Sequence, residues 1–178
     1  MKEIIKELAG WLLYIVLIIA LTWTVVTFVG QRTEVSGSSM ETTLSDKDQL
    51  IVDKMTYRFR DPKRYDIVVF PYQYQDNTYY IKRIIGLPGE TVQVKNGEVY
   101  IDGEILGEDY GAEAMEDAGI ASEPIELGTD EYFVLGDNRN HSSDSRDPSV
   151  GVLRREDLIG RAWIRIYPFD EMGFVVHE

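Results

Sequence analysis

The length and composition of the chain predict one globular domain, and they exclude several kinds of function. The chain has 178 residues, of which 44% are hydrophobic, and its formal net charge at pH 7 is -13. This acidic balance argues against a nucleic-acid partner, because binding to phosphates needs a basic surface. The chain has no cysteine and only two histidines, so we expect no disulfide, no metal site and no cofactor. Catalysis would then depend on hydroxyls, amines and carboxylates.

The first predicted element is an apolar segment, residues 8–30, which carries no charged residue over 23 positions. A helix needs about 20 apolar residues to cross the hydrocarbon core of a bilayer, so the segment predicts a transmembrane anchor. A cleavable signal peptide is the alternative. Its apolar core would be only about 7 to 15 residues long and would end in small residues, whereas this segment is longer and ends in bulky ones. We therefore predict a retained anchor.

Basic residues near the apolar segment favour a cytoplasmic N-terminus. Lys2 and Lys6 precede the segment, and only Arg32 follows it closely. Basic residues accumulate on the cytoplasmic side of a membrane, and acidic neighbours contribute little to this bias. We therefore expect residues 1–7 to be a short cytoplasmic tail and residues 31–178 to be an extracytoplasmic domain, held by a single-pass anchor in the cell membrane.

A segment rich in hydroxyl groups, residues 35–44, follows the apolar segment. Gly37 allows the backbone to approach a bound peptide closely, and Ser39, next to the apolar Met40, is a candidate nucleophile. The same Gly-Ser-Ser pattern is also typical of a surface turn or of a helix N-cap. The segment alone leaves both interpretations open.

Most of the remaining chain is predicted to form β-structure. Strands are predicted from apolar and β-branched runs bounded by turns, at residues 49–54, 65–70, 79–85, 132–135 and 158–168. Asn-Gly and Asp-Gly pairs predict two hairpins within residues 92–105. The acidic stretch 107–128 is expected to be an exposed insertion with one helical turn. The fold class is therefore mainly β, with this smaller region at about residues 92–128.

Two consecutive basic residues, Lys82 and Arg83, interrupt an apolar strand. Neighbouring side chains in a strand point to opposite faces, so we expect one of the two to be buried. A lysine whose stem lies along apolar surface while its amine stays in water is the ordinary interpretation. The alternative is a lysine desolvated beside a serine. Burial lowers the pKa of an amine, and a neutral Lys82 could accept the proton of Ser39.

The last informative segment is a polar loop, residues 136–147, directly after a strand. Loops of this polarity are usually solvated turns. Acidic and basic side chains at two-residue spacing can also form a frame of ion pairs and hydrogen bonds.

With these segments in order, the chain resembles the bacterial type I signal peptidases, in particular the short single-span form common in Gram-positive bacteria. Apart from the anchor, the resemblance rests on four blocks that cover nearly the whole chain, at residues 39–44, 64–70, 80–89 and 136–146. It implies a domain of antiparallel sheets and a membrane-anchored serine endopeptidase that removes signal peptides from secreted preproteins after small residues. The implied partners are these signal peptides and the lipid bilayer, with the secretion machinery as a further candidate.

The resemblance also implies roles for individual residues. Ser39 corresponds to the nucleophile and Lys82 to the general base, while Ser142 corresponds to a hydroxyl that orients the lysine amine. The polar frame that holds the site together corresponds to Asp144, Arg146, Asp137 and Arg83.

Three features depart from the family pattern. Gly37 stands where some relatives carry a hydroxyl that serves as the second oxyanion donor, which leaves Ser38 or another backbone N–H for that role. Thr42 replaces a proline. Asn140 and His141 replace an Asp-Asn pair, and His141 raises the alternative of a Ser-His-Asp triad. Because Lys82 lies in a matching motif, we interpret His141 as a loop residue.

Two other functions fit part of the pattern. A self-cleaving Ser-Lys protease would carry a DNA-binding N-terminal region, whereas this chain has an apolar segment there. A catalytically silent, membrane-anchored binding module would keep the fold without the activity. Only Gly37 and Thr42 favour this second alternative.

Overall fold

An apolar helix precedes a β-domain in the computed structural model, which describes residues 2–24, 29–74, 78–111 and 113–177. Helix α1 comprises Lys2–Thr24. Its part Ile4–Thr24 is long and apolar enough to cross a membrane, and none of that part is buried against the rest of the chain. The helix begins before the predicted segment 8–30, because the preceding Glu and Lys residues are good helix formers. Gly30 already belongs to a strand, and residues 25–28 lie outside the described residues.

Antiparallel strands form the rest of the fold, as the sequence predicts. In chain order they are β1 (Gly30–Glu34), β2 (Gln49–Asp53), β3 (Ile67–Pro71), β4 (Tyr79–Gly86), β5 (Thr91–Lys95), β6 (Glu98–Ile101), β7 (Glu104–Ile105), β8 (Ile125–Glu126), β9 (Glu131–Leu135), β10 (Leu153–Arg154), β11 (Gly160–Tyr167) and β12 (Gly173–Phe174). A four-residue helix, α2 (Thr56–Phe59), follows β2.

The strands form two sheets within the described residues. The larger sheet has the order β1-β2-β11-β3-β4-β9-β10, with β12 paired to β11. The smaller sheet has the order β7-β6-β5-β8. Strand β1 was not among the predicted strands, because it is a polar edge strand whose side chains are mostly exposed. Its register with β2 pairs Gly30 with Asp53 and Glu34 with Gln49.

The smaller sheet contains the two predicted hairpins. Asn96 and Gly97 have φ angles of 55° and 81°, and Asp102 and Gly103 have φ angles of 52° and 85°. Two successive residues with positive φ are the requirement of a type I′ turn, which explains the choice of Asn-Gly and Asp-Gly.

The acidic insertion is less exposed than the sequence predicts. The predicted helical turn is present as a 3₁₀ helix at Gly119–Ser122. However, Met115, Ala121 and Leu127 are buried in one core cluster with Phe133 of β9. These apolar residues, scattered through an acidic stretch, pack the insertion against the smaller sheet. The acidic composition of the stretch alone does not predict this packing.

Candidate active site

Ser39 lies in a turn between β1 and β2. The backbone N–H groups of Thr43 and Leu44 both donate to the carbonyl oxygen of Met40, at 2.9 and 2.8 Å. Met40 and Leu44 are 1% and 0% exposed, because they pack into the core of the larger sheet. Two buried anchors on the C-terminal side therefore hold the half-buried serine in place. The two interpretations of this segment are compatible, since the candidate nucleophile stands in a turn.

Gly37 has a conformational reason to be glycine. Its φ angle is +93°, in the region that side chains disfavour. Its N–H donates to Asp46 Oδ1 at 2.8 Å, which fixes the approach of the chain to Ser39. Gly37 therefore lacks the hydroxyl that some relatives carry here, and its backbone has a conformation that glycine adopts readily.

Lys82 reaches Ser39 from strand β4. Its Nζ lies 2.8 Å from Ser39 Oγ and 3.0 Å from the carbonyl oxygen of Ile81. The amine also lies 5.0 Å from the centre of the Tyr80 ring. Lys82 is only 3% exposed, so its amine does not reach out to water. The structure thus joins two residues that are 43 positions apart in the chain.

Arg83, the next residue, is buried as well. It is 1% exposed, so both basic residues of β4 are buried, although the sequence led us to expect only one. The guanidinium stacks on the Tyr110 ring, with its carbon 3.8 Å from the ring centre. The alternation of side chains along a strand predicted that the side chains of Lys82 and Arg83 point in opposite directions. Tyr110 of the acidic insertion packs against Arg83, whereas Lys82 is buried between Ser39 and its own strand.

Burial favours the neutral form of Lys82. Loss of hydration lowers the pKa of Lys82 from its ordinary value of 10.5 to about 8, while the carboxylates of Asp144 and Asp137 act in the opposite direction. Each of these carboxylates is paired with an arginine, which reduces the field that it exerts on the amine. A substantial neutral fraction near pH 8 is what a general base requires.

The first half of the polar frame is the ion pair between Arg83 and Asp137. Arg83 Nε and Nη2 donate to the two carboxylate oxygens of Asp137 at 2.9 and 2.7 Å. Thr43 Oγ1 donates to the same carboxylate at 2.5 Å and accepts from Arg83 Nη2 at 3.2 Å. The frame therefore connects β4, the loop after β9 and the turn that carries Ser39.

The second half is the ion pair between Arg146 and Asp144. Arg146 Nε and Nη2 each lie 2.9 Å from a carboxylate oxygen of Asp144. The backbone N–H of Gly136 also donates to Asp144, at 3.1 Å. Arg146 Nη1 donates to the carbonyl oxygen of Asp117 in the acidic insertion, at 2.9 Å. This pair closes the polar loop on itself and ties it to the insertion.

Ser142 lies beside the site, and its hydroxyl makes no hydrogen bond to Lys82 among the described residues. Its Oγ is buried and has no hydrogen-bond partner among the residues that the structure describes. A Cβ atom on Gly136 would lie 2.2 Å from this Oγ and 2.5 Å from the carbonyl oxygen of Ser39. Gly136 is therefore glycine because Ser39 and Ser142 pass it too closely for a side chain.

Sequence reasoning assigned no role to several residues that hold the site. Asn138 donates from its backbone N–H to the carbonyl oxygen of Ser39, and from Nδ2 to that of Ser38, both at 3.1 Å. Thr43 joins the frame through its hydrogen bonds with Asp137 and Arg83. Arg139 is 5% exposed and pairs with Glu108 of the insertion at 2.5 Å. Asn138 lies in the polar loop and Thr43 lies near Ser39 in the chain, and these positions were the only sequence signals that could have indicated their roles.

A groove of about 250 Å³ opens over Ser39 and Lys82, and it is lined by residues 33–40, residues 79–82, His141 and Ser143. His141 is exposed, whereas its neighbour Asn140 turns away. Asn140 Oδ1 accepts from the N–H of Glu116 at 3.0 Å, and Nδ2 donates to the carbonyl oxygen of Ala114 at 3.1 Å. Asn140 thus ties the polar loop to the insertion, and His141 is left at the groove.

The chain matches a family model over most of its length. Residues 8–167 match the family described as "Signal peptidase, peptidase S26". A signal peptidase I of Leptolyngbya laminosa is 41% identical over 154 residues, which cover 83% of this chain and 73% of the relative. Signal peptidase I P of Bacillus subtilis subsp. natto is 35% identical over 174 residues, covering 94% and 93%.

The crystal structure of a signal peptidase I from Enterococcus faecalis is 34% identical, with a TM-score of 0.48. It covers 57% of this chain and 97% of that one. Membership of the family is shown by the family match and by the two relatives. This chain covers more than two thirds of the length of each relative. The chain therefore belongs to the signal peptidase family, peptidase S26, whose members are serine peptidases that remove signal peptides from preproteins.

Proposed function

We propose that the chain cleaves signal peptides with Ser39 as the nucleophile and Lys82 as the general base. The observation that carries this assignment is the 2.8 Å contact between Ser39 Oγ and a lysine amine that is shielded from water. A serine hydroxyl is a weak nucleophile unless a base removes its proton. Neutral Lys82 can do so, because an amine that has lost its hydration holds its own proton weakly.

The reaction follows from these two groups. Lys82 takes the Ser39 proton while Oγ forms a bond to the scissile carbonyl carbon. The tetrahedral intermediate then collapses, its C–N bond breaks, and Lys82 gives its proton to the leaving amine. A water molecule next loses a proton to the same amine and attacks the acyl ester, which releases the signal peptide and restores the Ser39 hydroxyl.

The oxyanion of this intermediate needs hydrogen-bond donors. The backbone N–H of Ser39 is the natural first donor. Within the described residues, the N–H groups of Ser38 and Ser39 make no hydrogen bond, so both are available. Two backbone donors in one turn would compensate for the hydroxyl that Gly37 lacks.

The groove suits an extended peptide. Strand β4 pairs with β3 from Tyr79 to Arg83, but its pairing with β9 begins only at Arg83. In the described part of the chain, one edge of the segment 79–82 is therefore not paired with a strand. A signal peptide that adds itself at this edge would gain backbone hydrogen bonds and bring its scissile bond to Ser39.

The membrane arrangement is part of the same proposal. Residues 1–7 would lie in the cytoplasm, the apolar segment 8–30 would anchor the chain, and residues 31–178 would act outside the cytoplasm. The exposed apolar surface of α1 supports an anchor, and Lys2 and Lys6 support the orientation. The partners are then the bilayer and the signal peptides of exported preproteins, with the secretion machinery as a further candidate.

Cleavage of a defined preprotein tests the proposal. The full chain, reconstituted in lipid vesicles, is incubated with a preprotein that carries Ala at the first and third positions before the cut. We expect a mature product whose N-terminal sequence begins directly after the second Ala. A matched preprotein with Leu at both positions is expected to remain uncut. Failure to cut the first substrate, or equal cutting of both, would contradict the proposal.

The pH dependence of cleavage reports on Lys82. Because burial lowers the pKa of Lys82 to about 8, kcat/KM should rise through pH 8 and fall about tenfold per pH unit on the acidic side. The folded pKa lies below the unfolded value, so the unfolded state binds more protons between about pH 8 and 10.5. The free energy of unfolding should therefore rise with pH in that window. A flat cleavage profile from pH 6 to about 10 would exclude Lys82 as the base.

His141 provides a separate test, because it is the other basic group in the groove. If Lys82 is the base, His141→Asn should change kcat/KM by less than about threefold and leave the acidic limb of the pH profile in place, since general bases contribute about 10²–10⁴-fold. The measurement is the pH profile of the variant beside the unaltered chain. A loss of the acidic limb in His141→Asn would favour a histidine-based triad instead.

A further inference from the structure

Helix α2 holds an aromatic side chain out into solvent. Phe59 is 80% exposed, although Tyr57 in the same helix is 7% exposed. The inner side of the helix is fixed by Asp66, which accepts from the Tyr57 hydroxyl at 3.0 Å and from Arg60 Nη1 and Nη2 at 2.9 and 3.2 Å. Arg155 also donates to the carbonyl oxygen of Tyr57. A rigid support therefore holds the Phe59 ring out in solvent.

The position of α2 in the chain indicates what this partner is. The N–H of Lys54 donates to the carbonyl oxygen of Val29 at 3.0 Å, and α2 begins two residues after Lys54. Only the four residues 25–28 connect Val29 with the end of α1 at Thr24. A chain of this length reaches at most about 18 Å. Helix α2 is therefore held close to the level at which an α1 that crosses a bilayer would leave it.

The charge around α2 differs from that of the whole chain. Five of the 18 Lys and Arg residues lie within residues 54–64, together with a single acidic residue, Asp61. Arg60 and Arg64 are paired with Asp66 and Glu90. The other basic residues lie at or near the surface, since Arg58 and Lys63 are exposed and Lys54 is half-buried.

We propose that Lys54, Arg58, Phe59 and Lys63, the α2 patch, rest on the anionic headgroups of the bilayer that holds α1. An acidic domain is repelled by an anionic surface, and basic residues next to the anchor offset this repulsion locally. Phe59 enters the boundary between headgroups and acyl chains, where aromatic side chains are favoured. The proposal rests on the anchoring part of the proposed function and adds a second contact with the membrane.

The absence of cysteine from the chain allows each position to be labelled singly. Phe59→Cys carries an environment-sensitive fluorophore, and Ile105→Cys, 58% exposed in the smaller sheet, is the matched control. The full chain is reconstituted in phosphatidylcholine vesicles with or without phosphatidylglycerol. Quenching is measured with lipids that are spin-labelled near the headgroup, and with aqueous iodide.

In the anionic vesicles we expect lipid quenching at position 59 to exceed that at 105 by about threefold or more. In the neutral vesicles the difference should largely disappear, as it should when Lys54→Gln and Lys63→Gln are combined with the label at 59. Equal lipid quenching at 59 in the two kinds of vesicle would overturn the proposal. So would iodide access at 59 equal to that at 105. Protection from iodide without lipid quenching would overturn it too, because a protein partner or a second copy would then cover Phe59.

A label on α1 separates this proposal from the anchor itself. Ile18→Cys, 45% exposed in the structure, is expected to be quenched by lipids that are spin-labelled deep in the acyl chains. Quenching at 18 without quenching at 59 would overturn the α2 patch and leave the anchor intact. Absence of quenching at 18 would overturn both, whereas cleavage of the preprotein in the same vesicles reports on the peptidase separately.

Discussion

Ser39→Ala is expected to abolish preprotein cleavage, because no acyl-enzyme can form without the hydroxyl. Lys82→Met, which keeps the length and the burial of the side chain, should lower kcat by about 10²–10⁴-fold, the usual contribution of a general base. Single-turnover cleavage in vesicles measures both effects. Lys82→Arg is the informative companion, since arginine keeps its charge at every accessible pH. It should be as inactive as Lys82→Met.

The two lysine variants separate charge from proton transfer. If the ammonium charge alone supported the reaction, Lys82→Arg would retain much of the activity that Lys82→Met loses. Full cleavage by Ser39→Ala or by Lys82→Met would refute the assignment of the dyad. Thermal unfolding of each variant serves as the control for folding.

The second large effect concerns stability. Asp137→Ala should lower the free energy of unfolding by about 3–5 kcal/mol, because it leaves the Arg83 guanidinium, 1% exposed, buried without its partner. Denaturation of the reconstituted or detergent-solubilised chain, at a pH near 7, measures the change. Glu156→Ala is the matched control. Glu156 pairs with Arg154 at 3.0 Å, but both side chains are largely exposed, so its loss should leave stability nearly unchanged.

Removal of both partners distinguishes a buried charge from a buried contact. The double variant Arg83→Met, Asp137→Leu should be less destabilised than Asp137→Ala, since no unpaired charge remains. The double variant also removes the contacts of Arg83 with the Tyr110 ring and the Thr43 hydroxyl, so some loss of stability should remain. If Asp137→Ala were no more harmful than Glu156→Ala, the Arg83–Asp137 pair would not be what holds the site together.

Local signals in the sequence predicted local structure well. The turns at Asn96-Gly97 and Asp102-Gly103 were predicted because only a few residue pairs accept positive φ at both positions. The buried strands were predicted from apolar runs. Strand β1 was missed because an edge strand with an exposed face needs no apolar pattern. Its existence depends on β2, which supplies its hydrogen bonds.

The site itself required information that no single segment contains. Lys82 and Ser39 are 43 residues apart, and Arg83 and Asp137 are 54 apart. Each residue alone has an ordinary interpretation as a surface lysine, a turn serine or a solvated aspartate. The order of four blocks, read as a family resemblance, brought them together before the structure did. The structure then added the burial of Lys82, which supports its proposed role as the base.

Ser142 shows the limit of transferring a role by position. Its place in the polar loop predicts a hydroxyl that orients the lysine amine, and the structure brings it next to Gly136 and Ser39 without a hydrogen bond to Lys82. A serine hydroxyl can rotate about a single bond, so its partner depends on small shifts that sequence does not encode. The orienting role of Ser142 stays a prediction.

Strand β1 fixes the distance between the end of the apolar segment 8–30 and the turn that carries Ser39. It begins at Gly30, close to the end of the anchor, and ends at Glu34, where the turn that carries Ser39 starts. Four steps along an extended strand span about 13 Å, and pairing with β2 prevents the strand from stretching or coiling. The proposed nucleophile, Ser39, is therefore held at a set distance from the start of β1. Insertion of two residues into β1, which preserves the alternation of its faces, would shift the height at which a tethered substrate is cut.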